Sequence, residues 1–188
     1  MHKVALLIKD GFEESECLQI VDVLRRSSFE CDLIYFEDLW VRGMHNLLVK
    51  GDCAFDQKLE VYDVLIVPGG RPGGQNLLED ANVLACINDF VQAGKWVCGM
   101  CSGTVVLEAA GVISGKRVTG YTGYETKLVS AHFQKDVVVV DGKIITSQGP
   151  STALPFAFTI VEALGGDTQA LQSRMLYAMA GGAKIHLS

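Results

Sequence analysis

The chain alternates between short apolar runs and longer stretches whose apolar residues recur at helical spacing. Val4 to Ile8 is a continuous apolar run, the pattern of a strand buried on both faces. Gly11 supplies a turn and the acidic stretch EESE opens a helix. CLQIVDVLRRSS continues it, with an apolar stripe on Cys17, Ile20, Val21 and Leu24. Further strands are predicted at Cys31 to Phe36, Val61 to Val67 and Trp96 to Met100, the second of them ended by Pro68-Gly69-Gly70. Helical spacing runs from Asn76 to Ala93, in two pieces, and again from Ser102 to Ala110. Apolar strands alternating with helices predict a parallel sheet covered on both faces.

The last third departs from this rhythm. In VVVVDGKIITS, Asp141-Gly142 separates two β-branched runs, and Asp-Gly suits the tight turn of a hairpin. An antiparallel excursion at the sheet edge is expected. Ser151 is placed to cap a helix reaching about Leu164, with Gly165-Gly166 as its stop and Pro155 early, where its missing N–H costs little. Thr168 to Met179 reads as a final helix. No repeat, low-complexity segment or linker interrupts the pattern. It predicts one doubly wound α/β domain over residues 1–188. In such sheets ligands bind at the C-terminal ends of the strands. DGFEESE, PGGRPGG and GMCSG all fall there.

Composition narrows the function classes. A net charge of -6 argues against a nucleic-acid partner, which needs a basic surface, and against an anionic membrane surface. The apolar run in MHKVALLIKDGF is too short for a signal-peptide core, and no stretch approaches the roughly 18 apolar residues of a membrane span. A cytoplasmic protein is expected, in which the six cysteines are reduced thiols.

Two of those cysteines stand in VCGMCSGTV. Gly99-Met100-Cys101-Ser102-Gly103 has the form G-x-C-x-G between an apolar strand and a helix, the spacing of a nucleophile elbow. Glycines suit a turn that brings neighbouring backbone close. The helix start is expected to favour the Cys101 thiolate and lower its pKa, and the backbone of Cys101 is expected in a strained region. The Ser102 N–H is available as an oxyanion donor, and the Gly70 N–H after the third strand suits a shared oxyanion hole. The alternative is a small buried cysteine in a Gly-rich turn. Cys98 lies inside the strand, too far along an extended chain for a thioredoxin-type disulfide, and reads as core. Cys17, Cys31, Cys53 and Cys86 read as core or surface thiols. No second CxxC or HxxxH completes a zinc site, so no metal is expected. PGGRPGG lacks the G-K-[ST] of a phosphate loop.

The first helix offers an acid partner. Glu13 and Glu16 both flank its apolar stripe, and periodicity does not choose between them; acidic residues in a first turn also simply suit the helix dipole. A buried carboxyl beside the sulfur would keep its proton, hydrogen-bond the sulfur and later move that proton.

The stretches DGFEESE, VDVLRR, YDVLIVPGG, QNL, CGMCSG, IITSQGPSTA and FTIVEALGG resemble the ThiJ/PfpI superfamily, and within it the branch of Parkinson disease protein 7 and its bacterial relatives. They span nearly the whole chain. The resemblance implies a flavodoxin-like three-layer α/β sandwich, a homodimer and a reactive, easily oxidised cysteine at Cys101. It places the protonated glutamate on Glu16 and the oxyanion donors on Gly70 and Ser102, with Gly69 in support. Many members keep a histidine after the elbow helix, where this chain has Tyr121, in VTGYTG. His45 aligns with a position that approaches the partner's site in family dimers; as a surface histidine it would have no such role. His132 reads as surface, and His2 and His186 sit in the termini.

The chemistry implied is cofactor-free handling of reactive carbonyls: α-oxoaldehydes such as methylglyoxal, or glycated protein side chains. Cys101 would add to the carbonyl and Glu16 would shuttle a proton. A redox-sensing or chaperone protein without turnover, in which Cys101 is oxidised to sulfinic acid, is the alternative. A cysteine peptidase or amidase is a third reading. It needs a histidine base, and His186 in KIHLS has no following Glu.

Overall fold

In the computed structural model, which describes residues 1–55 and 59–180, the apolar runs become the middle of a sheet. The elements follow in order: β1 (Lys3–Leu7), α1 (Glu14–Arg26), β2 (Glu30–Tyr35), β3 (Trp40–Arg42), β4 (Leu48–Lys50), β5 (Cys53–Ala54), β6 (Val64–Val67), α2 (Gly73–Leu78), α3 (Ala81–Gln92), β7 (Trp96–Met100), α4 (Gly103–Ala109), β8 (Arg117–Val118), β9 (His132–Phe133), β10 (Val138–Asp141), β11 (Ile144–Ser147), α5 (Ala153–Ala163), α6 (Thr168–Arg174) and α7 (Tyr177–Ala180). The main sheet runs β10-β11-β7-β6-β1-β2-β5. Every pairing in it is parallel except the β10–β11 hairpin. Leaving out the hairpin's outer strand and β5, the order is that of the flavodoxin-like sheet.

Strand alternation divides the core into two layers. Val4, Leu6, Ile66, Cys98 and Met100 face α1 and α5, while Ala5, Leu7, Leu65, Val67 and Val97 face α3 and α4. Cys98 is thus a core residue, as its place within β7 implies.

Several predicted boundaries move, each for a local reason. The third strand starts at Val64, not Val61: a 3-10 turn occupies Leu59–Val61, and Asp63, just before the strand, accepts the Lys3 N–H at the start of the adjacent β1. The predicted helix over 76–93 is two helices, parted where Asp80 caps α3 through the Asn82 N–H. Ser151 does not cap a helix. Residues Pro150–Thr152 form a 3-10 turn, and the Thr152 hydroxyl accepts the Gly149 N–H at 3.0 Å. The last predicted helix is broken at Leu176, which has φ +56°. The hairpin β3–β4 and the pair β8–β9 carry no periodicity long enough to read. No helix among the described residues is long and apolar enough to cross a membrane.

Candidate active site at the Cys101 elbow

Cys101 follows β7 directly and has φ +53°, a left-handed conformation that costs a non-glycine residue energy. Its N–H donates to the Ser147 carbonyl of β11, and its own carbonyl accepts the Thr104 hydroxyl at 2.7 Å. The flanking glycines are required by contact. A Cβ on Gly103 would lie 2.1 Å from the Val67 carbonyl oxygen, and one on Gly99 would lie 2.7 Å from a Leu107 methyl. The strained turn and the tight strand-to-helix packing are those the G-x-C-x-G spacing predicts.

Three consecutive-turn glutamates of α1 take three separate partners. Glu13 is the N-cap: its carboxylate accepts the Glu16 N–H at 2.6 Å and the Ser15 hydroxyl. Glu14 accepts the His45 N–H at 2.6 Å and lies 2.9 Å from His45 Nδ1. Glu16 is fully buried and accepts the Gly69 N–H on Oε2 at 2.8 Å. Gly69 also accepts the Glu13 N–H on its carbonyl, so one glycine fixes the start of α1. A Cβ on Gly69 would lie 2.6 Å from Cys101 Cβ and 2.8 Å from Glu16 Oε2. Only glycine lets sulfur and carboxyl meet there.

The Glu16 carboxyl and the Cys101 sulfur converge on Gly69, where a Cβ would lie 2.8 Å from Glu16 Oε2 and 2.9 Å from Cys101 Sγ. Burial pushes the Glu16 carboxyl up to about 7, against the pull of the Gly69 N–H. Burial likewise pushes the Cys101 thiol up to about 12, and a charge on Glu16 adds to the rise, while the neighbouring Ser102 N–H opposes it. The lowering expected of the helix start is therefore outweighed. Of the two groups the carboxyl gives up its proton near neutrality, while the thiol holds its own to much higher pH. Glu16 Oε1 has no hydrogen-bond partner. It sits past Gly149, where a Cβ would lie 3.9 Å from it and 3.4 Å from the Tyr121 ring.

The remaining predicted residues fall as follows. Gly70 has φ +122° and its carbonyl accepts the Ser102 hydroxyl at 3.2 Å. Among the described residues its N–H has no hydrogen-bond partner. Tyr121 borders the site, its ring beside Gly149 and largely exposed. His45 is held by Glu14 and does not reach Cys101 of its own chain. His132 is exposed, as read, and His186 lies outside the described residues. Glu13, Glu14 and His45 bring ligand-type atoms within 4.8 Å of one another, but both carboxylates already accept the hydrogen bonds given above. The sequence reading missed Gly149 and the role of Glu14. Gly149 falls in the quoted stretch IITSQGPSTA, with no periodicity to single it out.

A mostly parallel α/β sandwich, carrying a cysteine on a strained elbow with a buried carboxyl at its sulfur, defines a class of cysteine-elbow proteins on the flavodoxin-like plan. The chain belongs to the DJ-1/PfpI family, whose sequence profile matches residues 2–163. It is 31% identical over 176 residues to the Parkinson disease protein 7 homolog of Danio rerio, covering 90% of this chain and 93% of that one. It is 32% identical over 152 residues to a deglycase of Pyrococcus horikoshii, covering 79% and 91%. The crystal structure of Drosophila melanogaster DJ-1beta superposes with a TM-score of 0.89 at 29% identity, over 93% of this chain and 97% of that one. Other relatives are longer. The chain spans 40% of protein DJ-1 homolog B of Arabidopsis thaliana, and 66% of an isonitrile hydratase of Pseudomonas putida to which it is 39% identical over 152 residues.

Proposed function

We propose that the protein converts reactive carbonyl compounds, α-oxoaldehydes or early glycation adducts, without a cofactor, through Cys101 and Glu16. The carrying observation is the pair itself: a fully buried carboxyl set beside the sulfur at Gly69, with its second oxygen buried and unpartnered. The name of the Pyrococcus relative points the same way.

In this reading the sulfur bonds to the aldehyde carbon as the carbonyl π pair moves to oxygen. The Gly70 and Ser102 N–H groups receive that oxyanion, and Glu16 supplies its proton. Glu16 then takes the hydrogen of the former aldehyde carbon as a proton and returns it to the neighbouring carbon. A Cys101 thioester of the 2-hydroxy acid results, and water hydrolyses it. One carbon is oxidised and its neighbour reduced, so no outside redox partner is needed. Tyr121 borders the substrate space, and the active species is a cytoplasmic homodimer.

The test is lactate formation from methylglyoxal with no glutathione present. Parent protein should form lactate, and Glu16→Gln and Cys101→Ala should each lose about a hundredfold or more. The parent's kcat/KM should rise with pH through about 7, where the Glu16 carboxyl gives up its proton. Lactate that survives either substitution overturns the mechanism. The alternative is a redox sensor in which Glu16 steadies oxidised Cys101. It is favoured by a partly exposed Cys101 with the Glu16 carboxyl beside its sulfur, whereas Cys17, Cys31 and Cys98 are buried; Cys53 is exposed and Cys86 partly so. It predicts no lactate even from the parent, with first oxidation by limiting peroxide at Cys101. A peptidase or amidase reading has no support from a histidine at the sulfur among the described residues, since His45 is held by Glu14.

A further inference from the structure

Beside the elbow, between α2, α4 and the turn at Tyr124–Thr126, lies a cleft of about 330 Å³. Its lining includes Gly70 and Ser102 on one side and Arg71, Gln75, Tyr124 and Lys127 on the other. No acidic side chain lines it. Neither Arg71 nor Lys127 forms an ion pair among the described residues. The Lys127 ammonium instead rests 4.4 Å over the neutral Tyr124 ring.

This is unusual in a chain of net charge -6. The contrast is Lys9, in another cleft of about 500 Å³ that also holds Asp10, Asp38 and Glu79. Its ammonium is 2.7 Å from Asp80 and 3.7 Å from Glu37, so the cation of that cleft is already paired and the cleft as a whole is acidic. The cleft beside the elbow carries two cations and no acid.

It is also continuous with the chemistry. Ser102 follows Cys101 directly and lines the cleft, its hydroxyl donating to the Gly70 carbonyl. The Tyr124 ring lies 5.6 Å from that of Tyr121, which flanks Gly149 and the free oxygen of Glu16. Leu78 and Val105 add an apolar wall suited to methylene groups between a carbonyl and a charge.

We propose that this cleft is an anion subsite, and that the protein's carbonyl substrates carry a carboxylate or phosphate that is seated between Arg71 and Lys127. The substrate class rests on the reading of Cys101 and Glu16 given above; the anion site does not. Cations without partners, at the rim of a concave site, bind such groups by charge-assisted hydrogen bonds that weaken with salt. For 4,5-dioxopentanoate the reaction runs as for methylglyoxal. The C–S bond forms at the aldehyde carbon, the proton moves to the keto carbon, and water cleaves the thioester to release 2-hydroxyglutarate.

The experiment has two independent readouts. The first compares kcat/KM for 4,5-dioxopentanoate, for the phosphate ester 3-phosphooxy-2-oxopropanal and for neutral methylglyoxal. An anionic substrate should be preferred at low salt, and the anionic-to-neutral ratio should fall about tenfold in Arg71→Gln and in Lys127→Gln, the loss of roughly one charge-assisted contact. Arg71→Lys should restore part of it. Whichever acidic substrate shows the larger preference distinguishes carboxylate from phosphate. The second readout needs no turnover: succinate and inorganic phosphate should slow alkylation of Cys101 by iodoacetamide in the parent, and fail to do so in the two Gln variants. Protection without any turnover leaves the anion site standing and overturns the carbonyl reading. Turnover with no anion preference and no protection overturns the subsite, as does a preference that neither substitution changes.

Discussion

Glu16 sets a conflict between stability and chemistry at a single residue. Its carboxyl holds its proton up to about 7, against an ordinary value of 4.5, so the native state keeps a proton that the unfolded chain gives up. The stability linked to it is fully present below about pH 4.5 and is lost as pH rises through 7, a difference of about 3 kcal/mol. Glu16→Gln keeps the shape and an acceptor for the Gly69 N–H but cannot ionise. In urea denaturation it should match the parent closely at pH 5 and be the more stable protein at pH 8.5. Equal stability at both pH values would mean that the carboxyl is not desolvated in solution. At this scale the sequence was informative about Cys101, because the elbow's close contacts demand glycines at fixed spacing. It was silent between Glu13 and Glu16. Both flank the stripe, and what separates them is that Glu13 is spent as the helix cap, a hydrogen bond that no periodicity encodes.

Among the elements, the hairpin β3–β4 depends on Glu14. That side chain is nearly buried, and burial alone would push its carboxyl up. Its own N–H and the His45 and Leu47 groups donate to it and hold it below the ordinary range instead. The hairpin also receives the Gly11 N–H on Arg42 and gives the Met44 N–H to Phe12, so it is sewn to the loop that delivers α1. Glu14→Ala leaves two backbone donors unpaired, and should cost about 1–3 kcal/mol. Amide exchange at His45 and Leu47 should quicken while β1, β6 and β7 stay protected. Uniform quickening would mean that the hairpin is not a separate unit. The strands that could be read from sequence are those with an unbroken apolar run, β1, β6, β7 and β11, together with β2 in CDLIYF and β10, which the Asp141-Gly142 turn marks. The β3–β4 hairpin could not be read, since only Val41 and Val49 of its six paired residues point inward. Glu14 looked like one more acid in a first turn.

Over the molecule as a whole, that hairpin is also where apolar surface gathers. Trp40 is 54% exposed and Leu48 49%, and their register puts both on the outward face. Exposed patches of this kind mark association surfaces, and here they support the proposed homodimer. Sedimentation should give twice the chain mass at micromolar concentration, and Leu48→Glu should return the monomer. A parent protein that is monomeric throughout would rule the assembly out. The proposed anion cleft was invisible in the sequence, because Arg71, just before α2, and Lys127, just after the turn at Tyr124–Thr126, are far apart along the chain and only the folded packing brings them to one cleft. The two tryptophans divide between these environments: Trp96 is packed against the core under α1 and α5, and Trp40 stands in water. The emission spectrum is therefore the sum of a blue, constant band and a red one that moves. In the proposed homodimer, dilution through the dissociation range should shift only the red band, which would give the protein its own optical gauge of assembly with no attached dye.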